Sequence, residues 1–306
     1  MPSVPTTVTR DRTWLVAIAA AFWGTDGLLR APLAGALPAA TVVFWEHLIA
    51  VVVLVPFLPS AWRAFRAASV RDRIAIVVIG AGASALATAL FTAAFATGDA
   101  LTPLVLQKLQ PLVAVAAAAM LLGERVRGTY WLIAVPALVG AWLVAFPDPL
   151  AAQVGELSAA GLAVGAAVLW GLGTVLGRMV GVRTSPKDVT VLRFAIGLPA
   201  SAVILGVQGA PVAITGSQVL PLVLLALIPG LLALVLYYLA LKVTPAARAT
   251  LAELAFPATA TVLGIAFLGV DPSATQWIGL LVVVAAITTL GLRERTAEPV
   301  VHVRTG

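Results

Sequence analysis

Long apolar stretches, separated by short polar breaks, run along almost the whole chain. Ten of them have the length of about 20 residues that a helix needs to cross the hydrocarbon core of a membrane. Turn-forming pairs such as Gly98-Asp99 and Asp148-Pro149 mark the breaks. We predict spans at about residues 13–30, 39–58, 73–95, 101–122, 129–147, 157–178, 189–207, 218–241, 246–268 and 275–292.

The composition indicates that lipid, rather than water, surrounds most of this chain. Hydrophobic residues make up 61% of it and charged residues 10%, with a mean hydropathy of +1.06. A soluble domain carries about 25% charged residues, which this chain lacks. We therefore expect an all-α integral membrane protein. The first stretch follows Arg10 and Arg12 and could pass for a signal peptide, but the nine stretches after it favour an uncleaved span.

The second half of the chain repeats the first at a nearly fixed offset. Residues 101–124 reappear as residues 247–270, so that Pro111 aligns with Pro257. The pairs Trp23-Gly24 and Trp170-Gly171 align at an offset that is one residue longer. The chain is therefore predicted to be a duplication, with a first repeat over 13–147 and a second over 157–292.

The basic residues predict how the spans are oriented, because Lys and Arg near span ends are retained in the cytoplasm. If the N-terminus is cytoplasmic, most of the 19 basic residues fall on the cytoplasmic side, and the outer loops hold only Arg30. We expect cytoplasmic tails at 1–12 and 293–306. Five spans per repeat then insert the second repeat upside down, giving ten transmembrane helices as two inverted-topology repeats of five (5+5). Such repeats are typical of secondary transporters, which hold the substrate near mid-membrane.

The motifs resemble one known family. The two Trp-Gly pairs, the fourth-span pattern from Pro111 to Leu121-Leu122-Gly123-Glu124, and the helices that begin near Trp131 and Trp277 are similar to those of the drug/metabolite transporter superfamily in its EamA-type, ten-span form. The resemblance implies a transporter fold. Within that superfamily, the chain is most similar to YddG-type exporters of aromatic and other neutral amino acids. The second copy departs from the pattern at Val270, where the family favours Glu.

Ionisable and amide side chains inside predicted spans are the first candidates for a substrate site. A charge at the centre of a span costs about 2.5–3.5 kcal/mol, so each one needs a partner or a function. His47 aligns with Arg193 across the repeat, and Gln107 aligns with Glu253. We predict that spans 2, 4, 7 and 9 direct polar groups into a central cavity, and the predicted polar site residues are Glu46, His47, Gln107, Lys108, Arg193 and Glu253.

Each polar residue also has a structural alternative. Arg193 could extend toward the cytoplasmic interface, and Lys108 could extend outward or pair with Glu46. His47 could be a neutral imidazole bonded to a carbonyl. Asp26 lies near the outer end of span 1 and is expected to be a helix-end or loop-facing acid.

Aromatic residues in mid-span form a second set of candidates, since their rings could line a pocket. Phe91 and Tyr237 are equivalent in the two repeats. Pro111 and Pro257 interrupt spans 4 and 9 at the same register, and each is predicted to kink its helix and shape the cavity. The predicted aromatic site residues are Trp23, Trp45, Phe91, Trp170 and Tyr237.

Several function classes are excluded or disfavoured by what the sequence lacks. It has no cysteine and two histidines, which excludes a thiolate or His-rich metal site. It has no metalloprotease motif and no phosphate-binding glycine loop, so we predict no catalytic residues, no metal and no cofactor. The basic charges are dispersed between spans, which argues against nucleic-acid binding despite the pI of about 10.5.

The expected partners are therefore a small-molecule substrate and membrane lipids. The mixed charges and aromatic residues favour a zwitterion such as an aromatic or other neutral amino acid, exported by alternating access. A lipophilic cation or drug, bound by a buried carboxylate, is an alternative, as is exchange of sugar phosphates or nucleotide-sugars. We expect a monomer. The abundance of Ala and the excess of Arg over Lys indicate a bacterial plasma (inner) membrane.

Overall fold

The computed structural model describes residues 12–97, 101–122, 131–146, 148, 154–241, 252 and 255–295. All regular secondary structure in these segments is helical. The helices of the first repeat are α1 (Thr13–Gly24), α2 (Asp26–Ala36), α3 (Ala39–Leu54), α4 (Leu58–Ala67), α5 (Val70–Val78), α6 (Ala87–Thr97), α7 (Leu101–Leu106), α8 (Gln110–Leu122) and α9 (Trp131–Ala145). The helices that follow are α10 (Val154–Gly181), α11 (Pro186–Val207), α12 (Gly216–Leu225), α13 (Ala233–Leu241), α14 (Ala255–Leu268) and α15 (Ala274–Arg295).

Several neighbouring helices join into longer apolar segments. Among the described residues, six such segments are long and apolar enough to cross a membrane, namely Ala39–Ala67, Val70–Thr97, Leu101–Leu121, Glu156–Gly181, Pro186–Val207 and Gly216–Tyr237. Shorter apolar helices cover Leu132–Val144, Ala258–Leu268 and Ala274–Ala286. The chain is therefore a multi-pass membrane protein, as the apolar stretches predict.

Irregular turns recur at the same place in both repeats. A π-helical segment covers Ile79–Leu86 between α5 and α6, and a second covers Ala226–Leu232 between α12 and α13. The two begin 147 residues apart and end 146 apart, which are the offsets of the sequence repeat. Pro229 lies inside the second segment, where it cannot donate a backbone hydrogen bond. The duplication therefore includes local backbone geometry as well as hydropathy.

The helix pairs are reciprocal between the two repeats. The first helix of each repeat packs against the third and fourth spans of the other: α1 contacts α13 and α14, and α10 contacts α6 and α8. The second spans, α3 and α11, pack on each other, and so do α9 and α15. Gly140 and Gly279 lie at this last contact, where a Cβ on Gly140 would meet the Gly279 carbonyl oxygen at 2.9 Å. Each repeat is thus completed by the other.

The Trp-Gly pairs lie at this reciprocal contact. A Cβ on Gly24 would meet the Thr259 Cβ at 2.7 Å and the Phe256 carbonyl at 2.9 Å. A Cβ on Gly171 would meet the Val113 Cβ at 2.8 Å and the Gln110 carbonyl at 3.0 Å. Residues 113 and 110 are the repeat equivalents of 259 and 256. Glycine is required at both places because the first helix of one repeat touches the backbone of the fourth span of the other.

One sequence expectation is wrong at the start of the chain. The first span was expected to end near residue 30, with Arg30 in an outer loop. In the structure α2 continues to Ala36, and Arg30 is 2% exposed in its interior. The hydropathy pattern ended the span too early because a charged residue inside a helix lowers the local average even when it is buried.

Candidate functional site

An ion cluster of Asp26, Arg30, Glu46 and Thr92 joins three helices of the first repeat. Arg30 Nε donates to Asp26 Oδ1 at 2.6 Å, and Nη2 donates to Oδ2 at 2.8 Å. Its Nη1 and Nη2 donate to the two Glu46 carboxylate oxygens at 3.0 and 3.2 Å. Nη1 also donates to Thr92 Oγ1 at 2.8 Å. The guanidinium therefore holds both carboxylates as bidentate partners.

The members of the ion cluster lie at similar depths. Arg30 precedes the end of α2 by six residues, Glu46 follows the start of α3 by seven, and Thr92 precedes the end of α6 by five. At 1.5 Å per residue these separations are about 8–10 Å. The cluster thus lies well inside the helices, at the end of the molecule where α2 meets α3. We call this the 36–39 end.

Sequence analysis missed Arg30 as a site residue. The available signal was the spacing of Asp26 and Arg30, which places an acid and a base one turn apart on a helix face. Glu46, which the sequence suggested as a partner for Lys108, is paired with Arg30. Asp26 was expected near the outer end of span 1, but it begins α2, ten residues before the end of that helix, and is ion-paired with Arg30.

His47 is held in a second polar group, beside the first π segment. Its Nδ1 lies 2.8 Å from the Val43 carbonyl and its Nε2 lies 2.9 Å from Ser84 Oγ. A carbonyl can only accept, so Nδ1 carries a proton, and in the neutral imidazole Nε2 then accepts from the Ser84 hydroxyl. His47 is 1% exposed, and its ring lies 5.6 Å from that of Phe194. This geometry matches the neutral, carbonyl-bonded alternative for His47.

Arg193, the repeat equivalent of His47, also reaches the first π segment. Its Nη2 donates to the Ala83 carbonyl at 3.2 Å. Close packing brings these elements together: a Cβ on Gly197 would lie 2.6 Å from the His47 ring, and one on Gly80 would lie 2.7 Å from Ile196. Two of the predicted polar residues therefore meet at the interface of α3, α11 and the π segment.

Most of the predicted aromatic residues converge in an aromatic cluster of Trp23, Phe91, Phe95, Trp170, Tyr237 and Phe256. The Trp23 and Tyr237 ring centres are 5.0 Å apart. Phe91 meets Trp170 edge to face at 5.1 Å. Both repeats contribute rings, and Trp23 and Trp170 are the aromatic residues of the repeated Trp-Gly pairs.

Two cations touch the aromatic cluster. Lys108 Nζ lies 3.5 Å from the centre of the Phe256 ring, and Arg30 Cζ lies 5.5 Å from that of Phe91. Lys108 and Gln107 belong to a 3-10 turn, Gln107–Leu109, and keep partial exposure. Nearby Gln110 donates to Thr174 Oγ1 at 3.0 Å, across the contact between the repeats. Partly exposed amide, ammonium and hydroxyl groups therefore adjoin the aromatic cluster.

Not every predicted site residue belongs to this arrangement. Trp45 donates from Nε1 to the Val212 carbonyl at 2.9 Å and packs with Leu33, Val42 and Leu222, away from the aromatic cluster. Glu253 lies outside the described residues. The 3-10 turn at Gln107–Leu109 ends just before the predicted kink at Pro111. Residue 254, which with Glu253 precedes the predicted kink at Pro257, lies outside the described residues as well.

The arrangement has few groups suited to metal chemistry. In the described segments, no group of three or more His, Asp or Glu side chains could hold a metal ion. The polar groups instead surround a set of aromatic rings between two repeats, which suits binding of a small organic solute.

Comparison with known proteins assigns the family. The profile of the EamA-like transporter family matches residues 13–146 and again residues 157–292. The chain is 26% identical over 285 residues to the uncharacterized transporter YwfM of Bacillus subtilis, covering 93% of each protein. It is 28% identical over 262 residues to the riboflavin transporter ImpX of Fusobacterium nucleatum, covering 81% of this chain and 86% of that protein.

A solved crystal structure shares the fold. Its TM-score is 0.63 at 20% sequence identity, and the match covers 94% of this chain and 98% of the other. The family profile matches the chain twice, so the chain contains two repeats of one unit. The relatives are transporters, not enzymes. The chain belongs to the EamA-like transporter family.

Proposed function

We propose that this transporter exports small zwitterionic metabolites, in particular aromatic and other neutral amino acids, as YddG-type exporters do. The observation that carries the proposal is the aromatic cluster, to which both repeats contribute rings. Lys108 lies against its Phe256 ring, and Gln110 donates a hydrogen bond to Thr174, one turn from Trp170. Rings would hold the substrate side chain by stacking and apolar contact. Lys108 would attract the substrate carboxylate.

Alternating access would proceed through exchange of the two repeats' conformations. In this proposal ten segments cross the bacterial inner membrane, both termini are cytoplasmic, and the protein acts as a monomer. The reciprocal packing of α1 with α13 and α14, and of α10 with α6 and α8, supports it. Two related halves that complete each other can exchange conformations and so expose a central site to either side.

A planar heteroaromatic substrate is a second candidate. It is favoured by the similarity to ImpX, which is named a riboflavin transporter, together with the number of aromatic rings at the site. A flavin would stack on the same rings, with its polar ring edge toward the amides.

The test is a flux panel with purified protein in liposomes. We expect saturable uptake of labelled phenylalanine or tryptophan, inhibited by other neutral amino acids. Trp170→Ala and Phe91→Ala should each reduce the flux roughly tenfold or more, because each loses an aromatic contact in the substrate site. Trp45→Phe is the matched control, since Trp45 lies outside the aromatic cluster.

The panel separates the candidates by competition. Saturable riboflavin flux that unlabelled riboflavin inhibits, together with no amino-acid flux, would favour the heteroaromatic substrate over the amino acids. Competition only by a lipophilic cation would indicate drug efflux, and exchange of phosphate esters would indicate the sugar-phosphate class. Absence of flux for all four classes, in protein that remains folded, would contradict both candidates.

A further inference from the structure

The ion cluster contains two acidic side chains and one basic side chain, which contacts both of them. Two carboxylates, Asp26 and Glu46, share the one guanidinium of Arg30. The side chain of Glu46 is 10% exposed and that of Asp26 is 16% exposed. An ionised carboxylate is stable in such a place only with full compensation, and one proton would remove the excess negative charge.

Glu46 is the better acceptor for that proton. Its two contacts with Arg30, at 3.0 and 3.2 Å, are longer than the 2.6 and 2.8 Å contacts of Asp26. Asp26 lies on the same helix as Arg30, whereas Glu46 lies on α3, so its bond with Arg30 joins two helices. A proton from water that adds to a Glu46 oxygen would weaken the attraction between α3 and α2.

The surroundings of Glu46 contain few other charges. Asp26 and Arg30 face it from α2, His47 is its neighbour on α3, and Arg193 approaches from α11. The facing part of α6 contributes the neutral Thr92. The first and second π segments and α12, which also pack on α3, contain no titratable residue. Of these groups, His47 is the one whose free side chain titrates near neutral pH, so the test includes a His47 variant.

The second repeat has no copy of the ion cluster. Asp26 and Arg30 correspond to Gly173 and Gly177, Glu46 corresponds to Leu192, and Thr92 corresponds to Tyr238. A Cβ on Gly177 would meet nothing within 4 Å. In an inverted repeat these equivalent positions lie toward the opposite end of the molecule. The equivalent positions of the second repeat therefore hold no such ion pairs, and the buried ion pairs of the cluster lie at the 36–39 end.

We propose that the ion cluster is a proton-binding site, and that protonation of Glu46 releases α3 from α2 and opens the 36–39 end. The inference rests on the proposed alternating access, and it assigns the coupling ion. In this proposal, the ionised form of the ion cluster holds the 36–39 end closed. Proton binding would then favour the conformation that opens it, which is how a ligand shifts a two-state equilibrium.

The natural lack of cysteine allows a direct test by labelling single introduced cysteines with maleimide in liposomes. Ala34→Cys places a thiol one turn from Arg30 toward the 36–39 end, at a site that is 7% exposed. Gly177→Cys places one in open space in the other repeat. The Gly177→Cys rate measures how pH changes the reactivity of such a thiol, and the Ala34→Cys rate is expressed relative to it.

We expect the ratio of Ala34→Cys to Gly177→Cys labelling to rise roughly tenfold between about pH 8 and about pH 6. Glu46→Gln should fix the ratio at the high value at both pH values, because its side chain is neutral and nearly isosteric. His47→Gln is the control and should retain the pH response, since it removes no carboxylate.

Two results would overturn the proposal. One is a ratio that does not change with pH in the protein with intact Glu46, which also decides the matter if Glu46→Gln fails to fold. The other is a labelling ratio that still changes with pH in Glu46→Gln, or that no longer changes with pH in His47→Gln. Labelling needs no substrate, so either result is distinct from a failure of the liposome flux panel.

Discussion

Gly24 and Gly171 show how one missing methyl group can determine the distance between two repeats. Each glycine is placed where a Cβ would come within 3.0 Å of a backbone carbonyl of the opposite repeat, on Phe256 or Gln110. Close approach of this kind is the main source of helix association in lipid, where there is no hydrophobic effect to bring helices together. The tryptophan beside each glycine then enters the aromatic cluster.

We predict that Gly24→Ala and Gly171→Ala each reduce the free energy of unfolding by about 1–3 kcal/mol, because the added methyl group overlaps atoms that cannot move cheaply. The midpoint of thermal unfolding in detergent measures the effect. Gly161→Ala is the matched control, since a Cβ there meets nothing within 4 Å. Equal midpoints for the three variants would contradict the close contact.

Residue-level chemistry was only partly predictable from the sequence. Alignment of the repeats singled out Trp23, Trp170, Phe91 and Tyr237, and the structure brings all four together. The alignment could not identify Arg30, because a lone arginine near the end of an apolar stretch is assigned to a loop when spans are placed by hydropathy. The partners of Arg30 come from α3 and α6, and a one-dimensional pattern contains no such information.

The fourth span shows how an element changes where a proline interrupts it. Pro111 has no N–H for the carbonyl of Gln107, one turn earlier. The chain forms a 3-10 turn over Gln107–Leu109 and resumes as α8 at Gln110. This turn presents Lys108 at the Phe256 ring of the aromatic cluster, so the backbone irregularity and the contact of a cation with the cluster coincide.

We predict that Pro111→Ala lowers transport flux roughly tenfold or more while leaving the unfolding midpoint equal or higher. Alanine restores the missing hydrogen bond, lets a regular helix form, and moves Lys108 away from the Phe256 ring. Flux in liposomes and thermal unfolding measure the two effects. Pro136→Ala is the control, because Pro136 lies inside α9 and is exposed, and its flux should not change. A variant with normal flux would limit Pro111 to a structural role.

The π segments were not predictable from composition. The first is rich in glycine, the second contains Pro229-Gly230, and no shared residue pattern marks them. The two segments share their position: each lies in the third span of its repeat and packs against the second span of the other repeat. Only the packing identifies them. The first of them provides the Ser84 hydroxyl and the Ala83 carbonyl to His47 and Arg193.

At the scale of the whole molecule, the sequence predicted well what depends on hydropathy and duplication. The family profile matches once in each half of the chain, over residues 13–146 and 157–292, as expected for two repeats. Lipid forces every backbone polar group to be satisfied within helices, so long apolar stretches translate directly into structure. The pairing of helices between repeats was less predictable, since it depends on side-chain shape on both partners.

The orientation of the repeats leads to a prediction of topology. A tag at either terminus should be accessible from the cytoplasm alone, and a reporter inserted near Asp148 should be accessible from outside alone. Lys and Arg near the span ends favour cytoplasmic tails, and the proposed five spans per repeat would invert the second repeat. Protease protection in oriented vesicles distinguishes the arrangements. Termini on opposite faces would exclude the inverted-repeat fold with ten crossings.

Reciprocal packing also has a consequence for biogenesis. The principal neighbours of α1 are α13 and α14, which begin more than 200 residues later in the chain. While the ribosome is still synthesising the second repeat, the face of α1 that later contacts α13 and α14 can be covered only by lipid or by proteins of the insertion machinery. Membrane insertion can proceed helix by helix, but assembly must wait for nearly the last span. A chain arrested after the first repeat would therefore be an inserted but unassembled substrate for quality-control proteases.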